Sequence, residues 1–313
     1  MKKILVTGGA GFIGSHLCKL LIRNKKNKVF CLDNLKTGSL NNIKELDKYE
    51  NFEYVDHDIV NKLKIKVDFI YNFACPASPI HYQLDPLDTI KTNVFGMFNM
   101  LDLAKENGAP ILHSSTSEVY GDPIEHPQKE TYFGNVNPIG PRSCYDEGKR
   151  CAETICFDYV RKYNLNVKVI RIFNTYGPNM SINDGRVVSN FITQALKNKG
   201  ISIYGDGKQT RSLCYVDDLI RGIISFSKID KKINHPINLG NDSEITILSL
   251  AHKVIELTNS KSKIKFFDLP EDDPKIRKPD IKKAKKFLNW QPEINLDNGL
   301  NKTINYFKKI IVN

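Results

Sequence analysis

The sequence predicts an α/β protein built on a Rossmann-type, doubly wound parallel sheet, with a smaller, interleaved C-terminal region for binding substrate. Three observations predict it. Short apolar runs at Ile4–Thr7, Val29–Leu32, Phe69–Ala74, Ile111–Ser115 and Val167–Phe173 alternate with amphipathic stretches such as Leu84–Asn107 and Tyr145–Tyr163; that alternation is the mark of βαβ units. A glycine-rich turn, Gly8-Gly9-Ala10-Gly11-Phe12-Ile13-Gly14, follows the first run and opens a helix. Beyond residue 175 the pattern loosens, and Pro178, Gly185, Gly205, Gly207, Pro270, Pro274 and Pro279 punctuate shorter elements.

The expected division is therefore residues 1–175 for the sheet domain, with returns near 214–240, and 176–313 for the smaller region. Cys214–Lys228 and Ile237–Leu239 are regular enough to rejoin the sheet. The last helix is expected over Leu300–Ile311, docked by an apolar face. At 313 residues the chain can bury a sizeable core.

Composition narrows the classes. Hydrophobic content of 41% and charged content of 26% are ordinary for a globular protein. No apolar run has the ~18 residues that a membrane span needs. The start, Met1 to Val6, imitates a signal peptide but stops at Thr7-Gly8-Gly9, too short for its apolar core. The expected compartment is the cytoplasm. The seven cysteines (Cys18, Cys31, Cys75, Cys144, Cys151, Cys156 and Cys214) form neither a C-x-x-C pair nor a zinc-spaced set, so reduced thiols and no metal are expected. Net charge is +11, but the lysines are dispersed and no nucleic-acid motif accompanies them. The densest cluster, Lys275–Lys286, reads as the solvated face of a helix, and neither nucleic acid nor membrane is expected as a partner.

The motifs carry chemistry. Gly8, Gly11 and Gly14 permit a tight turn, close approach of a pyrophosphate, and close helix–strand packing. The helix start offers unpaired N–H groups to phosphates. Asp33 ends the second run, 19 residues beyond Gly14, where a carboxylate suits the ribose hydroxyls of NAD and repels a 2′-phosphate. Tyr145 and Lys149 lie one turn apart on a helix, where an ammonium would lower the phenol pKa and make a general base. Ser114-Ser115-Thr116 closes a strand at the end where such sheets bind ligands.

Together with Asn72-Phe73-Ala74, these residues resemble the extended short-chain dehydrogenases over essentially the whole chain. The resemblance implies NAD as cofactor, Thr116 bonded to the reacting sugar oxygen, Tyr145 as base, and Lys149 also on the nicotinamide ribose. It extends the cofactor contacts to Phe12, Ile13, Asn34, Thr37, Gly38, Asp58, Ile59, Ala74 and Thr175. It further implies a homodimer joined through the Leu84–Asn107 and Tyr145–Tyr163 helices.

Longer segments sharpen it: Ala77-Ser78-Pro79, Thr116 through Pro123, Asn137 through Arg142, Arg171 through Pro178, Asp184 through Phe191, Gln209-Thr210-Arg211 and Arg277 through Ile281. They are similar to the UDP-glucuronate decarboxylases. That branch implies NAD-dependent conversion of UDP-glucuronate to UDP-xylose and CO₂ through a 4-keto intermediate. Glu118 would orient the sugar, act as a base through water, or destabilise the substrate carboxylate, with Arg277 near the sugar. Asn174, Arg186, Val188, Tyr204 and Arg211 match positions that hold the UDP part, and Lys91 and Asn99 match further substrate-side positions. Related 4,6-dehydratases carry Asp-Glu after the Thr, whereas Ser117 stands here, which disfavours dehydration. Eukaryotic relatives carry a membrane anchor, and this chain reads as a soluble form. The rival enzyme readings are a UDP-sugar 4-epimerase or a bifunctional apiose/xylose synthase. The other rivals are an NAD-holding protein without catalysis, and a nucleic-acid binder suggested by charge alone.

Overall fold

The computed structural model describes residues 1–269 and 276–312, with Val312 described by its backbone. Pro270, Pro274 and Lys275, read above as punctuation and as part of a basic cluster, lie outside them.

The N-terminal half runs β1 (Lys2–Thr7), α1 (Phe12–Leu21), β2 (Asn27–Asp33), β3 (Phe52–Asp56), β4 (Phe69–Asn72), α2 (Pro79–Leu84), α3 (Pro86–Asn107), β5 (Ile111–Thr116), α4 (Ser143–Tyr163) and β6 (Val167–Ile172). After it come β7 (Thr175–Tyr176), α5 (Val187–Leu196), β8 (Ile201–Tyr204), β9 (Thr210–Ser212), β10 (Cys214–Tyr215), α6 (Val216–Ser227), β11 (Ile237–Leu239), β12 (Glu244–Thr246), α7 (Ile247–Thr258), β13 (Ile264–Phe267), α8 (Lys282–Leu288) and α9 (Leu296–Val312).

Seven parallel strands form the main sheet in the order β11-β6-β5-β4-β1-β2-β3. The strand order reverses between β1 and β4. This switch point is where an open parallel sheet binds ligands. Both faces are covered. Alternation along the strands sends Ile4, Val6, Val29 and Cys31 into one core, with residues of α1, α5, α6, α7 and α9. Leu5, Phe30 and Leu32 go to the other, with residues of α3 and α4.

The differences from expectation have local causes. The Phe52–Asp56 strand was not among the apolar runs, because Phe-Glu-Tyr-Val-Asp is an edge strand with only Phe52 fully buried. Of the Leu84–Asn107 stretch, Leu84 ends α2 and the rest is α3: Asp85 breaks the run, accepting a hydrogen bond from the Asp88 N–H, and Pro86 starts the second helix. The helix expected from Tyr145 begins at Ser143, and the last one at Leu296. The basic cluster contributes to α8, over Lys282–Leu288.

The smaller region is built from two-stranded pairs, β13 with β8 and β12 with β9, packed with α5 and α7. It overhangs the carboxyl ends of the sheet and closes one side of a cleft. β11 lies in the main sheet beside β6, and α6 packs on α1.

Candidate active site

A cleft of about 1050 Å³ follows the carboxyl ends of the strands. At one end it is made of backbone. Gly8 has φ of +65°, and a Cβ there would lie 2.8 Å from the Phe73 carbonyl, so the β1–α1 turn and the loop after β4 touch. A Cβ on Gly14 would collide with the Gly8 carbonyl, which fixes how closely α1 approaches the strand. Gly11 differs: a Cβ there would meet only the Gly8 oxygen, at 3.1 Å, so its other side is open to the cleft. An open backbone cradle at a helix start fits a pyrophosphate. Asp33 stands beyond it, its carboxylate accepting from the Ala10 N–H at 3.0 Å and the Leu35 N–H at 2.8 Å. Burial raises its pKa, against the pull of those N–H groups. Phe12, Ile13, Asn34, Thr37, Gly38, Asp58, Ile59, Ala74 and Thr175 line the same cleft.

In the middle, β5 delivers Thr116 and α4 delivers Tyr145 and Lys149. Tyr145 is hydrogen-bonded to the Thr116 side chain. The Lys149 ammonium donates to the Ser114 carbonyl at 2.8 Å and lies 5.9 Å from the centre of the Tyr145 ring. The expected lowering of the phenol by Lys149 is corrected here. Burial pushes Tyr145 well above the usual tyrosine value, and the Thr116 bond offsets this only in part. Burial likewise pulls Lys149 below the usual lysine value.

Next to this trio sits a cluster of charge. Glu118 follows Thr116 in a 3₁₀ turn (Ser117–Tyr120). Its carboxylate is 2.7 Å from the Arg142 guanidinium and 3.3 Å from that of Arg277. Burial alone would raise the Glu118 carboxyl; Arg277 and Arg142 overrule it and hold the group down to about 2. A carboxylate so weakly basic is a poor general base at neutral pH. Its charge, already matched by two guanidiniums, also repels a second carboxylate little. Among the expected roles, this geometry favours orientation of the sugar.

Arg277 lines the same cleft, as expected for a residue near the sugar. It is 1% exposed, and its guanidinium donates to the Ser117 carbonyl and, at 3.0 Å, to the Gly121 carbonyl as well as to Glu118. It ties Glu118 to the turn and braces it. The guanidinium nearer the opening is Arg142, whose side chain is 12% exposed.

Asn174, Arg186, Val188, Tyr204 and Arg211 line the far end of the cleft. Arg186 is braced by both oxygens of Asp184, and Arg211 donates to the Thr210 carbonyl at 2.9 Å. Two expected residues fall outside. Lys91 is exposed on α3, turned away from the cleft. The Asn99 amide donates to the Ile59 carbonyl at 2.9 Å, so it holds a loop from behind.

Sequence reasoning gave no role to Arg142 or Tyr82. Arg142 stood inside a matching segment, three residues before Tyr145, but the direction of a side chain ahead of a helix is not readable from spacing. Tyr82 reads as an ordinary apolar position.

The family model described as GDP-mannose 4,6 dehydratase matches residues 5–303. UDP-glucuronic acid decarboxylase 6 of Arabidopsis thaliana is 54% identical over 95% of this chain and 86% of its own length. The chain belongs to that dehydratase family and, within it, to the UDP-glucuronic acid decarboxylases. UDP-glucuronic acid decarboxylase 1 of Xenopus tropicalis is 51% identical over 98% of this chain and 72% of its own. Among solved structures, the UDP-glucuronic acid 4-epimerase of Bacillus cereus with UDP-glucuronic acid and NAD superposes with a TM-score of 0.89, at 29% identity over 98% of this chain and 99% of its own. The UDP-glucose 4-epimerase of Thermotoga maritima does so with a TM-score of 0.90, at 29% identity over 99% of both chains.

Proposed function

We propose that the protein uses NAD to convert UDP-glucuronate to UDP-xylose and CO₂. The observation that carries this reading is the Thr116–Tyr145–Lys149 group beside the glycine cradle, with Ser117 and the Arg-bound Glu118 next in the chain.

Gly8, Gly11 and the start of α1 would hold the pyrophosphate, Asp33 the adenosine ribose, and Lys149 the nicotinamide ribose. The cofactor supplies a positive charge and a hydride acceptor for C4, from which the hydride later returns. Tyr145 takes the C4 hydroxyl proton, while Thr116 bonds the same oxygen. The 4-ketone beside a C5 carboxylate is a β-keto acid. CO₂ departs with cleavage of the C5–carboxyl bond, and the electron pair enters an enolate whose oxygen lies at C4. Tyr145 and Thr116 stabilise that oxygen; a donor of this kind is worth roughly 10²–10³ in rate. C5 takes one proton from solvent, and Tyr145 returns its proton to O4. The net change is UDP-glucuronate plus one proton to UDP-xylose plus CO₂. Glu118 orients the sugar, braced by Arg142 and Arg277. Asn174, Val188, Tyr204, Arg186 and Arg211 would receive the UDP part, where guanidinium forks suit phosphate oxygens.

The same reading assigns residues 1–175, with the returning 214–240, to NAD, and the rest mainly to UDP-sugar. It includes a homodimer through α3 and α4, which pack on each other and leave Leu87, Phe95 and Phe98 of α3 exposed. It places the protein in the cytoplasm, in keeping with seven free cysteines. Among the described residues no helix is long and apolar enough to cross a membrane.

The test is product analysis by NMR with UDP-glucuronate as the only substrate. CO₂ and UDP-xylose are expected. UDP-galacturonate without CO₂ would replace this reading with an epimerase.

A further inference from the structure

Tyr82 has no part in the chemistry above, yet its ring lies on that of Tyr145. The centroids are 5.0 Å apart and the planes within 5° of parallel. Tyr82 is 1% exposed, on the inner side of a helix whose Ile80 and Leu84 face outward. A helix as short as α2 has little stability of its own, so its placement depends on ties to its neighbours. The Tyr82 carbonyl accepts from the Thr89 hydroxyl of α3 at 3.2 Å and from the Cys144 thiol of α4 at 3.5 Å. The Ser78 hydroxyl and His81 Nδ1 are 2.7 Å apart across the first turn.

The Tyr82 hydroxyl is buried and has no hydrogen-bond partner among the described residues. What Tyr82 offers its neighbour is therefore an aromatic face. On Tyr145 itself, the hydroxyl is bonded to Thr116, and Lys149 lies toward the ring. A phenol on a long side chain still has a ring that can tilt, and the stack restrains that tilt.

We propose that Tyr82 is a positioning residue for the reaction: its ring fixes the plane of the Tyr145 ring and keeps water from that face of the phenol. The proposal rests on Tyr145 acting as the base in the reading above. The charged and titratable groups that bear on Tyr145 or flank it are Lys149, Asp146 and Cys144 of α4, Cys75 after β4, Glu118 after β5 and Arg186 before α5, and the Arg142 guanidinium lies 5.9 Å from the centre of the Tyr82 ring. None of them is on α2, so replacing Tyr82 changes packing and hydration beside Tyr145 without altering a formal charge.

Two variants separate ring from hydroxyl in the full-length, NAD-loaded protein. Tyr82→Phe keeps the stack and should keep kcat within about 3-fold, since it removes only an unpaired hydroxyl. Tyr82→Leu removes the stack. It should lower kcat about 100-fold, the scale of a small misplacement of a reacting group, with KM for UDP-glucuronate changed by less than about 3-fold. Burial is the main cause that raises the Tyr145 phenol, so water admitted by Tyr82→Leu should move its ionisation to lower pH. That shift is read from tyrosinate absorbance, with the matching Tyr145→Phe protein subtracted because the chain has 13 tyrosines. Should Tyr82→Leu fail to fold, Tyr82→Met, whose unbranched flexible chain fills irregular gaps better, takes its place. Wild-type kcat with an unshifted titration in the aliphatic variant would overturn the proposal. So would a Tyr82→Phe variant as impaired as the aliphatic one. A wild type that leaves UDP-glucuronate untouched would instead sink the proposed activity, and the titration would still decide the role of Tyr82.

Discussion

The two ends of the cleft are built in opposite ways. The cradle end is made by one contiguous stretch, β1, turn, α1 and β2, and its contacts are backbone contacts: Gly11 opens the turn and two N–H groups fix the Asp33 carboxylate. The sugar end is made by side chains far apart in sequence. Arg277 reaches back 160 residues to the Ser117 carbonyl, and Arg142 reaches 24 residues to Glu118. A local design tolerates most single changes outside its glycines. A long-range charge cluster has one geometry, and removing a member leaves buried charge behind.

The comparison can be broken first at the junction of the two ends. Tyr145→Phe should reduce turnover by about 10³-fold or more, given the ~10²–10⁴ that general acid–base catalysis supplies. NAD binding, measured by titration, should stay near wild type because the cradle is untouched. The next largest effect belongs to the sugar end. Arg277→Ala should destabilise the fold by about 3 kcal/mol, toward the low end for a broken buried pair because Arg142 still holds Glu118. It should also cut kcat while leaving UDP affinity within about 3-fold. A denaturant midpoint equal to wild type would show that Arg277 is not the brace described here. At the cradle, Asp33→Ala should weaken NAD binding by about 10- to 100-fold, the size of a hydrogen bond to a charged group, and should narrow the preference for NAD over NADP. An unaltered preference would remove Asp33 from the ribose.

Glu118 offers a pH test of the same contrast. Its folded value, about 2, lies below the ordinary 4.5. The stability it contributes is therefore present above about pH 4.5 and is lost as pH falls toward 2. Glu118→Gln should flatten the acid limb of stability in that window, and an unchanged limb would mean that the two guanidiniums do not hold the carboxylate. The smallest expected effect is at Lys91. Exposed on α3, it should tolerate Ala with KM for UDP-glucuronate within about 2-fold.

The same contrast explains what was legible in the sequence. The glycine turn, Asp33 and the Tyr145/Lys149 pair are short patterns set by helix and strand geometry, and each lands in the cleft. The strands of the main sheet were readable where they are buried on both faces. The Phe52–Asp56 edge strand was not, because only one of its five residues is buried and charged residues interrupt the run. Arg277 was located by its motif, but its direction depends on a turn 160 residues away. Lys91 and Asn99 were placed by matching segments alone, and α3 turns both away from the cleft. The effect of Lys149 on Tyr145 was misjudged for a related reason: spacing shows the neighbour, and burial of both groups is a property of the folded molecule.

The central claim is that oxidation, loss of CO₂ and reduction take place on one bound sugar, with the hydride returning to the carbon it left. UDP-glucuronate carrying deuterium at C4 tests it most directly, with the reaction run in ordinary water and the unlabelled substrate run in D₂O. The UDP-xylose formed should keep the C4 deuterium in the first case and gain one solvent deuteron, at C5, in the second. Loss of the C4 label, or solvent deuterium at C4, would contradict it.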